Sequence, residues 1–192
     1  MKVLAVALLL VSSFGAGVAH AQSLPAASTG LVLDAAVGFA ATRGNAGPTV
    51  CGCFFFYGGN GQLALTGPTG LGLVFDVAGV YSNPTNGYGH QLTLYTFTEG
   101  IRYKFHRGHK LVPYAQTLVG INHTSSNYAI DKDQNKFVLL GGGGVDYRLS
   151  EHFDVRPAEI DYQYSAIPNG QNNRQNDIRF SAGIVYRILG SR

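Results

Sequence analysis

Residues 177–188 read Asp-Ile-Arg-Phe-Ser-Ala-Gly-Ile-Val-Tyr-Arg-Ile. Every second residue gives Ile178, Phe180, Ala182, Ile184, Tyr186 and Ile188 on one side. The other side reads Asp177, Arg179, Ser181, Gly183, Val185 and Arg187. A period of two with unlike faces marks a β-strand, because successive side chains point to opposite sides of the sheet. Wound as a helix, the same residues would spread their apolar groups around the whole circumference.

The pattern recurs toward the N-terminus. Leu31, Leu33, Ala35, Val37 and Phe39 alternate with Val32, Asp34, Ala36 and Gly38. Leu71, Leu73, Phe75, Val77 and Tyr81 alternate with Gly72, Val74, Asp76 and Ala78. Phe137, Leu139, Val145 and Tyr147 alternate with Val138, Leu140, Asp146 and Arg148. Ala158, Ile160, Tyr162 and Tyr164 alternate with Glu159, Asp161 and Gln163. A stripe of Tyr95, Phe97, Ile101, Tyr103 and Phe105, broken by Glu99, lies in 91–105. A weaker strand spans 110–123 and a short, glycine-flanked one 62–66, making eight. Pro157 interrupts the seventh and predicts a bulge that shifts its phase. The connections 42–61, 67–69, 82–90, 106–109, 124–135, 149–152 and 166–175 alternate long and short. In an up-and-down barrel this puts the long loops at one end and the tight turns at the other, as in outer-membrane barrels.

Composition agrees. Of 192 residues only 13% are charged, 26 are Gly, Tyr and Phe number 11 each, and Trp is absent. The charged fraction is about half the usual quarter. A net charge of +3, without clustering, argues against a nucleic-acid partner. These features exclude a coiled coil, a zinc module and a helical membrane bundle. Met1-Lys2, the apolar run 3–11 and Ala19-His20-Ala21 read as a secretory signal peptide over 1–21. Beyond it no apolar run approaches the roughly 18 residues of a membrane helix. The expected organisation is a signal peptide at 1–21, a short periplasmic segment at 22–30, a barrel at 31–188 and a tail at 189–192.

Alternation alone does not say which stripe faces out. A soluble lipocalin-like ligand binder would point its apolar stripe inward. The polar stripe carries Asp34, Asp76, Asp146, Glu159 and Asp161 against Arg102, Lys104, Arg148, Arg179 and Arg187. Such balance suits an enclosed lumen, where unpaired charge is costly. Tyr103, Phe105, Tyr114, Tyr147, Phe153 and Tyr186 flank the short turns, and Tyr81, Tyr128, Phe137 and Tyr164 the long loops, like two aromatic girdles. The segment Ser181-Ala182-Gly183-Ile184-Val185-Tyr186-Arg187-Ile188 fits a polar-x-Gly-x-x-aromatic-x-hydrophobic ending. With Gly141-Gly142-Gly143-Gly144-Val145-Asp146-Tyr147-Arg148, Arg156-Pro157 and Asp161-Tyr162, the chain resembles bacterial outer-membrane β-barrel domain proteins, the small OmpA/OmpX-like type. The likeness covers 31–188 and is strongest in the last third.

That resemblance implies an all-β, eight-stranded antiparallel up-and-down transmembrane β-barrel in the cell outer membrane. It implies Gly183, Tyr186 and Ile188 as the signal read by the barrel-assembly machinery. It also implies outer-membrane lipids as surroundings and a structural or surface-interaction role through the loops, toward an unidentified extracellular ligand. No cofactor or metal is expected.

Other motifs offer chemistry of lower specificity. Cys51 and Cys53 form a candidate disulfide in an oxidising compartment, although C-x-C is strained and no further Cys completes a zinc set. Phe54-Phe55-Phe56-Tyr57 reads as strand two extending into the outer girdle, or as a partner-binding loop end. Gly141 to Gly144 lacks the Lys-Ser/Thr and the helix of a phosphate loop, and is expected to give neighbouring side chains room. His106 and His109 lie in a basic turn with no third metal ligand near. His123 and Ser125 share parity, as in the His-x-Ser pair of outer-membrane lipid A deacylases. This makes an acyl hydrolase the enzymatic alternative, with Asp131 and Asp133 as the acids that follow. The plain reading puts His123 and Ser125 at the start of a polar loop.

Overall fold

In the computed structural model, residues 30–45, 53–82, 92–105, 109–126, 134–167 and 174–190 are described. Residues 1–21, Cys51, Tyr128, Asp131, Asp133 and His106 lie outside them, and so do the expectations that rest on those residues. Eight strands follow in order: β1 Val32–Asn45, β2 Cys53–Thr66, β3 Leu71–Ser82, β4 Leu92–Lys104, β5 Leu111–Ser126, β6 Gln134–Arg148, β7 Phe153–Ser165 and β8 Gln175–Leu189. Each pairs antiparallel with the next, and β8 pairs with β1 to close the barrel. Among the described residues no helix is long and apolar enough to cross a membrane.

The ladder has a defined stagger. Leu33 lies opposite Leu65, and the line continues through Leu73, Ile101, Thr117, Gly141, Tyr162 and Ile178. It returns to β1 at Arg43, ten residues beyond Leu33. For eight strands this stagger tilts each strand by about 40° from the barrel axis.

The charged stripe faces in and the apolar stripe faces out. In β8, Asp177, Arg179, Ser181, Val185 and Arg187 are buried while Ile178, Phe180, Ile184, Tyr186 and Ile188 are exposed. The other strands repeat this, with Leu73, Phe75, Ile101, Val119, Leu139 and Ile160 outward. The inverted, lipocalin-like arrangement is therefore excluded.

Several details differ from the sequence reading. Strand two is not the short segment 62–66 but runs from Cys53, and β1 continues to Asn45, so the two strands take up most of what the sequence reading assigned to a connection at 42–61. Gly58, Gly59 and Gly61 hide the alternation there. At Gly58 a Cβ would lie 1.9 Å from the Gly79 carbonyl oxygen, so the close approach of β3 requires glycine. The aromatic run is strand, with Phe55 and Tyr57 outward and Phe56 inward. Strand five runs to Ser126, so His123 and Ser125 lie in a strand rather than a loop. Tyr114 is no girdle residue: it shares the inward parity of Val112 and Gln116 and is buried. Glu99 introduces no irregularity, since the register of β4 against β3 and β5 is unbroken.

The bulge expected at Pro157 is present. The pairing of β7 with β8 shifts between Arg156 and Glu159, and that with β6 between Val145 and Tyr147. Pro157 and Ala158 are both exposed, so Arg156 and Glu159, three positions apart, both point inward. Proline, which has no N–H to give a ladder, is tolerated at such a site.

Candidate functional site

The lumen is filled by a ladder of ion pairs that rises from the short-turn end. At its foot Lys104 Nζ donates to Asp34 Oδ2 at 2.8 Å and lies 3.4 Å from Asp146. Arg187 approaches the other Asp34 oxygen at 3.1 Å and Asp154 at 4.0 Å. Above it, Arg156 Nε donates to Asp146 Oδ1 at 2.8 Å, and its Nη1 donates to Glu159 Oε2 at 3.0 Å and to Gln62 Oε1 at 2.6 Å. Arg102 reaches Gln62 at 2.6 Å, Gln116 Oε1 at 3.0 Å through Nε, and Glu159 at 3.4 Å. Higher still, Arg179 Nη1 donates to Asp76 at 2.6 Å and Nη2 to Asp161 at 2.9 Å. Gln116 Nε2 donates to the second Asp161 oxygen at 2.9 Å.

Glu159 is the hub. Its Oε1 accepts from Gln62 Nε2 and Ser181 Oγ, its Oε2 from Arg156 and the Tyr114 hydroxyl. Both Arg102 and Arg156 lie over the Tyr114 ring, 4.2 and 4.8 Å from its centroid, which adds cation–π attraction among buried groups. Glycines make the room. A Cβ on Gly144 would stand 2.6 Å from the Tyr114 hydroxyl oxygen, and one on Gly142 the same distance from Asp161 Oδ1. The glycine run thus gives neighbouring side chains space, as its position in a strand implied.

Toward the outer end the lumen lining turns apolar. Ala40, Phe56, Val80 and Leu94 form a buried cluster, with Leu92 and Ile167 packed against it. A second cluster of Ala64, Val74, Leu118, Val138 and Leu140 fills the lumen beside the ladder.

Nine of the ten charges read from the sequence enter this network: Asp34, Asp76, Arg102, Lys104, Asp146, Glu159, Asp161, Arg179 and Arg187. Arg148 is half-buried at the end of β6. Sequence reasoning missed Arg156, Asp154, Tyr114, Gln62 and Gln116. Following the phase shift past Pro157 would have found the first two.

The remaining candidates do not gather into a site. His123 and Ser125 share the outward face of β5. His123 Nδ1 is 2.9 Å from Asn135 Oδ1 and its ring stacks on Tyr95, with centroids 6.4 Å apart. Cys53 opens β2. Gly183, Tyr186 and Ile188 lie in β8, where Tyr186 packs on Phe153 with centroids 5.0 Å apart. Among the described residues no three His, Cys, Asp or Glu side chains are grouped to hold a metal.

A family profile described as the outer membrane protein beta-barrel domain matches residues 6–187. No curated protein matches the chain in sequence. Solved structures share the fold. Neisserial surface protein A is 18% identical with a TM-score of 0.63, over 82% of this chain and 97% of that one. Ail, the attachment invasion locus protein of Yersinia pestis, is 14% identical with a TM-score of 0.57, over 83% and 99%. OprG from Pseudomonas aeruginosa is 14% identical with a TM-score of 0.54, over 86% and 99%.

Proposed function

The chain belongs to the outer membrane protein beta-barrel domain family, and from that premise we propose that it acts as a closed barrel whose work lies at its outer loops rather than in its lumen. One observation carries this: Glu159 and its partners span the interior, and Phe56 with Val80 and Leu94 covers its outer end. An eight-stranded barrel has an interior just wide enough for side chains, and these side chains are interlocked. A solute would have to break several buried ion pairs at once, each costly to leave half-made. What remains available to a partner is the outer rim, where 46–52, 83–91, 127–133 and 166–174 connect the strands. The engagement of His123 by Asn135 and Tyr95 supports a girdle role for it rather than that of a general base.

The test is solute flux. The chain, refolded into liposomes and verified by a heat-dependent shift on SDS gels, is placed in iso-osmotic arabinose. Swelling no faster than that of empty liposomes is the expected result. Sugar entry that scales with protein would overturn the closed-lumen reading.

A further inference from the structure

Glu99 stands outward in the middle of β4, opposite Phe75 of β3 and Val119 of β5. Among the described residues it is the sole carboxylate on the outward face of the eight strands, and no described residue gives it a hydrogen bond or ion pair. Tyr95 and Tyr103 lie four residues to either side on the same face. On a strand tilted by about 40°, two residues change depth by about 5 Å. Glu99 is therefore about 10 Å from each aromatic level, near the centre of an apolar band about 25 Å tall. Lipid chains offer it no hydrogen-bond partner, and an unsatisfied polar group at that depth is expensive.

The stagger places two other residues beside it. Thr117 pairs with Ile101, two residues below Glu99, and each step across the ladder climbs about 3 Å. Thr117 thus lies about 2 Å below Glu99 and Gly141, its partner on β6, about 1 Å above. All three face outward. A Cβ on Gly141 would meet nothing within 4 Å, so the wall there is open. β4, β5 and β6 therefore present an acceptor, a donor and a recess at one depth, with Phe97, Ile101, Val119 and Leu139 exposed around them.

We propose that this row is a self-association surface, on which two copies of the chain meet about a two-fold axis along the membrane normal. Such an axis brings residues of equal depth together and makes every contact twice. The Thr117 hydroxyl of each copy donates to the Glu99 carboxyl of the other. Val119 and Ile101 supply the apolar contact around them, and the recess at Gly141 takes side chains from the facing wall. Acceptor and donor at one depth make the surface complementary to itself, which favours a second copy over an unrelated protein bearing a basic group.

The proposal rests on the chain spanning the bilayer, which the heat-dependent gel shift reports separately for every variant. The test is disulfide cross-linking in liposomes diluted to many lipids per chain. It uses Val119→Cys in a background where Cys51 and Cys53 are replaced by Ser. The expected result is a cross-linked dimer. Adding Glu99→Leu or Thr117→Val should lower its yield at least tenfold while the barrel still folds, and Glu99→Gln, which keeps an acceptor, should retain it. Val37→Cys on the opposite wall should not cross-link. A monomer at every dilution, equal cross-linking through Val37→Cys, loss of the dimer in Glu99→Gln, or a dimer indifferent to Glu99→Leu would each overturn it. A monomer that cross-links only when outer-membrane extract is added would assign the row to another protein.

Discussion

Replacing Arg156 with Met removes a side chain that joins the foot of the lumen ladder to its hub. Arg156 is 4% exposed and bonds Asp146, Glu159 and Gln62 while covering the Tyr114 ring. Methionine fills part of the volume but leaves two buried carboxylates short of a partner. Breaking a buried pair from one side costs about 3–5 kcal/mol. The lower end applies here, because Asp146 keeps Lys104 at 3.4 Å and Glu159 keeps Arg102 at 3.4 Å and Arg179 at 3.7 Å. A loss of about 3 kcal/mol is over a hundredfold in the unfolding equilibrium. With a urea dependence of about 2 kcal/mol/M it lowers the midpoint by about 1.5 M. The chain has no Trp, so unfolding is followed by far-UV circular dichroism and by loss of the fast-migrating band on unboiled gels. Arg156→Lys keeps the charge but loses the fork and should fall between. Adding Asp146→Leu to Arg156→Met removes the orphaned acid, so the double variant should be less destabilised than the two single effects summed, by 1 kcal/mol or more. A cost below about 1 kcal/mol for Arg156→Met, or strict additivity in the pair, would refute the view that these groups depend on one another.

The same unfolding assay separates two neighbouring glycines. Gly144→Ala pushes a methyl toward the Tyr114 hydroxyl and the Ala158 carbonyl and should cost about 1–3 kcal/mol, whereas Gly141→Ala enters open space and should be close to neutral. Ile160→Arg puts a charge on the lipid face at mid-depth and should cost about 2–4 kcal/mol in a bilayer. Phe56→Ala empties the outer cluster and should cost about 3–5 kcal/mol. Because Phe56 also covers the lumen, that variant should show a small ion conductance in planar bilayers that the unaltered chain lacks.

Strand number, pairing order and the facing of both stripes were legible because alternation is a local property. In β3, and in β8 as far as Ile188, every second residue repeats its environment; the register against β1 shifts only at the end, between Leu33 and Asp34. The reading failed where another demand overrode that code. In β2 the glycines that let β3 approach carry no side chain, so the strand seemed to begin at Gln62 rather than Cys53. Tyr114 looked like a girdle aromatic by its place near a turn, yet its hydroxyl is held by Glu159 of a strand two positions away around the barrel. The lumen charges were visible as a set, but not their partners, because Asp34 with Arg187 and Gln62 with Glu159 join residues whose distance in sequence leaves no local mark. Arg156 and Asp154 fell out because one extra residue at Pro157 inverts the parity that precedes it.

The pairing of β1 with β8 has a consequence for how the molecule is made. Asp34 and Arg187 are 153 residues apart in the chain, and so are Gly38 and Gly183 nearly, whose backbones lie against one another. Until the last strand is in place, β1 offers a bare edge of unpaired amides and carbonyls along its whole length, open to any other extended chain. No subset of strands satisfies both edges, so a partly built barrel keeps an edge open to wrong pairing. Closure joins the farthest parts of the sequence, the slowest kind of contact to find. The first strand must therefore be kept from wrong partners for the entire time the other seven are assembled, and the molecule is finished in one step, when its end meets its beginning.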